Sequence, residues 1–134
     1  MRSPLHGLHA FLLAGMVPLF LGVLLADLAW SKSWEVQWKN FASWLLVGAL
    51  LFAGFALLWA LVDAFLLRFR HVLQLALTAL LLLAWILGFI NALLHAGDAA
   101  AGLSALLMLS WVLALLSIAA TWLGFAGLRH GTTP

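Results

Sequence analysis

Residues 72–98 read "VLQLALTALLLLAWILGFINALLHAGD", and this stretch decides the fold. An apolar run of about two dozen residues satisfies the ~20 helical residues that cross a hydrocarbon core of about 30 Å. It closes with Asn91, His95 and Asp98. At about 100° per residue, these three share one helix face. A greasy helix therefore ends in a line of polar groups. That line is either a site or the place where the helix leaves the membrane facing its neighbours.

The same pattern recurs along the chain. Four spans are expected, at about 8–30, 41–67, 72–95 and 102–128, with connections of about ten, four and six residues. Links this short make neighbouring helices antiparallel. The expected fold is an all-α integral membrane protein, a single four-helix transmembrane domain over 1–134 in up-down-up-down order. Pro18 falls mid-span and predicts a kink that membrane helices tolerate. Residues 1–25 have a basic residue and an apolar core, as a signal peptide does, but no small-x-small cleavage site follows. They are expected to form a retained first helix.

Composition agrees with this architecture. Of 134 residues, 67% are hydrophobic and only 7% charged, whereas a soluble domain has about a quarter of its residues charged. The mean hydropathy is +1.20. The absence of cysteine excludes disulfides, thiolate chemistry and cysteine metal sites. The net charge of +2 comes from basic residues scattered among the helix ends, which excludes a nucleic-acid groove. No nucleophile–base triad, phosphate loop or nucleotide fingerprint is present.

Charge also gives an orientation. Arg2, Arg68, Arg70 and Arg129 fall on one side, while Lys32 and Lys39, offset by Glu35 and Asp98, fall on the other. The more basic side is cytoplasmic. Both termini are thus expected in the cytoplasm, and the Asn91–Asp98 end faces the periplasm or exterior. For packing, small residues let membrane helices approach. Gly88, Ala92 and Ala96 supply such a stripe on the third span, and Ala120 and Gly124 on the fourth. Ser110, Ser117 and Thr121 are candidates for interhelical hydrogen bonds.

Between the first two spans stands "WSKSWEVQWKN", residues 30–40. Trp30, Trp34 and Trp38 recur every four residues, and the charged residues mostly avoid that face. This predicts a short interfacial helix at headgroup level. Its tryptophans are either an aromatic anchor, with Trp44 in the same belt, or a docking surface for a periplasmic partner.

Ionisable residues in membrane spans are costly and mark sites to test. Two clusters are expected. The outer one joins Asp27, Asn91, His95 and Asp98, with Glu35 nearby; it is either helix capping and packing, a polar site for a ligand or quinone headgroup, or a metal site. The inner one joins His6, Asp63, Arg70, His71 and His130, with Arg68 and Arg129, and Asp63 needs a cation or donors there. His6, His9, His71 and His130 are also candidate axial ligands for b-type haem, which takes two histidines from facing helices. No ionisable residue stands at the middle of a span, which argues against a proton-coupled small multidrug transporter.

Four strings taken in order, "SPLHGLHAFLLAGMVPLFLGVLLADLAW", "QWKNFASWLLVGALLFAGFALLWALVD", "GFINALLHAGDA" and "TWLGFAGLRHG", resemble the bacterial membrane family catalogued as domain of unknown function 2231. The resemblance covers nearly the whole chain. It implies a four-span inner-membrane protein, with His6, Asp27, Asp63 and Arg129-His130-Gly131 at family positions. Gly7 follows His6 where proline is common in the family. Some relatives are joined to Rieske iron–sulfur domains or encoded near quinone-dependent sugar dehydrogenases, which implies a redox setting by analogy. The expected function is a non-enzymatic membrane anchor or redox-associated subunit for a periplasmic redox protein. The alternatives are a b-haem or quinone-binding electron carrier, or a small transporter or channel lined by Asp27, Asp63 and His95.

Overall fold

The apolar runs form four long helices: α1 (Pro4–Ser33), α2 (Val36–Leu66), α3 (Val72–Ala96) and α4 (Leu103–Gly131). This computed structural model describes residues 4–66, 72–97 and 101–131, and side chains at 7–65, 72, 74–97 and 101–126. All four helices are long and apolar enough to cross a membrane. Even α3, with 25 residues, is about 37 Å long at 1.5 Å per residue. α1 continues through Pro18 as one helix.

The helices form a four-cornered bundle. α1 packs on α2 and α4, and α3 packs on the same two, so α1 and α3 sit across the diagonal. The buried residues explain the arrangement. They fall at alternating spacings of three and four on every helix: Leu13, Met16, Phe20 and Val23 on α1; Leu46, Ala49, Ala53, Ala56 and Ala60 on α2; Leu77, Leu81 and Ala84 on α3; Leu106, Ser110, Leu113, Ser117 and Ala120 on α4. That spacing is the narrow seam of a bundle whose helices cross at shallow angles. Alanines dominate the α2 seam and leave room for the bulky α1 side chains opposite.

Glycines mark the closest approaches. A Cβ at Gly22 would stand 2.9 Å from Leu45 Cδ1, and one at Gly88 would stand 2.7 Å from Leu50 Cδ2. At Gly15 it would collide with the Phe52 ring, and at Gly124 with Leu13. Along α1 the partners step backward through α2, from Phe52 opposite Gly15 to Leu45 opposite Gly22. The expected stripe on α3 is corrected here. Gly88 is buried, but Ala96 is exposed, because the α3 seam passes instead through Asn91 and His95. The Ala120–Gly124 pair on α4 is buried as expected.

The expected interfacial helix is also corrected. Only Trp34 and Glu35 separate α1 from α2, so residues 30–40 belong mostly to the two long helices. The chain reverses because Trp34 takes a left-handed φ of 59°, while its N–H donates to Trp30 O at 2.7 Å. Ser33 Oγ donates to Ala29 O and accepts from the Glu35 N–H. This is a left-handed helix cap built on tryptophan, where glycine is the usual residue. The three tryptophans therefore part company. Trp30 is buried against Leu94, Leu103 and Leu106, whereas Trp34 and Trp38 are exposed.

The tight approach at Gly124 gives a direct test. Gly124→Val drives two methyl groups towards Leu13 at the α1–α4 contact, and overpacking of this kind costs about 1–3 kcal/mol. Unfolding by sodium dodecyl sulfate in bicelles should show that loss, and Gly7→Val, in open space, should show little change.

Candidate functional site

Asp27 lies on the α1 seam, one step beyond Val23 and about 9 Å of helix inside the end of α1. It is fully buried, as are Asn91 and, to within 3% exposure, His95 and Ser110. The seams of α1, α3 and α4 point these four side chains at the bundle axis. There they form one network. His95 Nε2 lies 2.8 Å from Asp27 Oδ1. The Ser110 hydroxyl donates to Asp27 Oδ2 at 2.6 Å. Asn91 Nδ2 donates to Ser110 Oγ at 3.1 Å. His95 Nδ1 donates to the Asn91 backbone oxygen at 2.8 Å, one turn back on its own helix.

The Asp27–His95 contact joins α1 to α3 across the diagonal, where the backbones do not touch. Depth and burial decide its character. A helix-end cap at the membrane surface would be wet, but these groups are buried and hydrogen-bonded to one another. Both ring nitrogens of His95 are engaged in hydrogen bonds, so in this arrangement neither is turned toward a metal. Among the described residues, no group of three or more histidines and carboxylates could hold a metal ion. Asn91 Oδ1 is the one network oxygen that is buried with no hydrogen-bond partner among the described residues.

Of the outer cluster expected from sequence, the structure unites Asp27, Asn91 and His95. Asp98 lies outside the described residues, and Glu35 is exposed in the turn. Ser110, expected only to help packing, proves to be a full member of the site. Its signal was its seam position on α4, seven residues before Ser117.

At the opposite end less can be placed. Asp63 is half-buried on α2. Arg70 and His71 lie outside the described residues; His6 and His130 stand on α1 and α4, with side chains outside them. His9 is buried and stacks on Trp59, with ring centroids 5.7 Å apart. This half also has interhelical hydrogen bonds. Thr121 Oγ1 donates to Leu13 O at 2.9 Å, tying α4 to α1. Gln74 Nε2 donates to Ala60 O at 2.9 Å, tying α3 to α2; sequence reasoning missed this bond. Ser117 differs from expectation, since its hydroxyl stays on its own helix and donates to Ala114 O.

The network should behave as a charge pair rather than as packing. His95→Leu strands a buried carboxylate, and breaking one side of such a pair costs about 3–5 kcal/mol. Asp27→Leu combined with His95→Leu removes both charges and should cost less than His95→Leu alone. Ser110→Ala removes one donor to the carboxylate, a loss of about 1–3 kcal/mol. Unfolding in bicelles measures all three; a double variant less stable than either single variant would contradict the charge account.

The chain matches no protein-family model, no curated protein and no solved structure.

Proposed function

We propose that the four helices cross a bacterial inner membrane in up-down-up-down order, with both termini cytoplasmic. On this reading the chain is a non-enzymatic anchor or redox-associated subunit for a periplasmic partner. The distribution of arginines supports the orientation. The resemblance to the uncharacterised membrane family supports the redox setting by analogy.

Trp34 is the observation that carries this reading. The residue is 54% exposed at the α1–α2 turn, and its backbone is held left-handed. That conformation costs a non-glycine residue about 1–2 kcal/mol. Strain kept at an exposed residue points to a use for its side chain. Trp38 is exposed beside it and meets Phe41 edge-on at 6.4 Å. Trp30 underlies the turn, its ring edge-on to Trp34 at 5.1 Å. A rigid aromatic face on a buried support is a suitable anchor for a protein partner, since indoles supply much contact area at little entropic cost.

Two variants test the reading. Trp34→Ala with Trp38→Ala should abolish co-purification of a periplasmic partner from crosslinked native membranes while the chain still inserts. Trp34→Gly should also weaken that capture, yet leave the bundle at least as stable, because glycine relieves the left-handed strain. Unchanged capture by the double variant would rule out docking through this face.

A further inference from the structure

The hydrogen atoms of the buried network can be counted from its geometry. His95 Nδ1 faces a backbone carbonyl, which has no hydrogen to give, so Nδ1 carries one. His95 Nε2 faces Asp27 Oδ1 at 2.8 Å. Two bare lone pairs would repel at that distance, so a second hydrogen lies between them. The Ser110 hydroxyl hydrogen is already committed to Asp27 Oδ2. The pair thus holds one proton more than a neutral imidazole beside a free carboxylate. With that proton it is neutral overall, written either as imidazolium and carboxylate or as imidazole and carboxylic acid. Without it, a net negative charge is left in a dry site, and two acceptors face each other.

We infer that this shared proton locks the outer end of the bundle: α1 and α3 are joined across the axis only while Asp27 and His95 hold it, and its loss to water as pH rises lets the ends of α1, α3 and α4 separate. Among the described residues, the surroundings offer no substitute. α4 has no titratable side chain between Leu103 and Ala126, and α3 has none but His95 between Val72 and Ala96. On α1, Lys32 is exposed, as is Glu35 in the turn that follows. α2 brings Lys39 within electrostatic reach of His95, but the donors on the Asp27 carboxylate are His95 and Ser110. Trp30 and Leu106, both buried, pack together one turn nearer the helix ends than Asp27 on α1 and Ser110 on α4. Loosening there is therefore passed to the support beneath Trp34.

Hydrogen exchange of the purified full chain in lipid nanodiscs, corrected for the intrinsic pH dependence of exchange, tests the lock. In the native chain, protection of the outer halves of α1, α3 and α4 should fall as pH rises, about tenfold per pH unit where one proton is coupled to opening. The inner half, tied by Thr121 to Leu13, should keep its protection. Asp27→Asn is the decisive variant. Its amide donates to Nε2 of a neutral His95 and its oxygen accepts from Ser110, so the contact persists with no proton to lose. Its outer-end protection should be independent of pH. Equal slopes in the two chains, or a flat profile in the native one, would overturn the inference. If Asp27→Asn fails to assemble, the nitrogen-15 spectrum of His95 in the native chain decides. A change in the Nε2 signal as the shared proton is lost, in step with loss of protection, is expected; an Nε2 signal that stays constant over the pH range in which protection falls would overturn the inference.

Discussion

One hydrogen bond across the bundle diagonal, between His95 Nε2 and Asp27 Oδ1, organises the half of this protein nearest the α1–α2 turn. In lipid, helices gain nothing from hiding apolar surface from one another, so association depends on close packing and on polar contacts. Close packing joins each helix to its two neighbours. Across the diagonal, it is this polar pair that bridges α1 and α3. A charge pair at that point is tolerable because the two charges cancel and Ser110 supplies the carboxylate with a second donor.

The rest of the bundle is arranged so that this pair stays dry. The seam that carries Leu13, Met16, Phe20 and Val23 towards the axis also carries Asp27 there, and the α3 seam does the same for His95. Trp30 and Leu106 form a buried apolar cluster one turn nearer the helix ends. Towards the α1–α2 turn, the axis carries the Asp27–His95 network. Towards the other end, Thr121 and Gln74 donate hydrogen bonds to backbone oxygens of neighbouring helices.

The turn between α1 and α2 follows from the same economy of space. A ten-residue loop with its own helix would set the helix ends apart. The left-handed cap at Trp34 instead reverses the chain within two residues, about two helical turns beyond Asp27. The residue that makes the reversal carries an exposed indole. Structure at the turn and chemistry at the surface thus meet in one side chain, directly above the network.

The sequence by itself determined the four apolar helices and their approximate limits. Hydropathy over about 20 residues is a local property, and no partner is needed to read it. It also brought Asp27, Asn91 and His95 into one expected cluster, because helix ends and short links leave few ways to assign sides. It did not reveal Ser110 as a fourth member, the burial of Trp30, or the shift of the α3 seam from Ala92 and Ala96 to Asn91 and His95. Those depend on how each helix is rotated about its own axis. In a span that is apolar all round, that rotation has no amphipathic signal, and only the fit of side chains from neighbouring helices sets it. The tertiary structure alone therefore decided that Asp27 and His95, 68 positions apart, share one dry site.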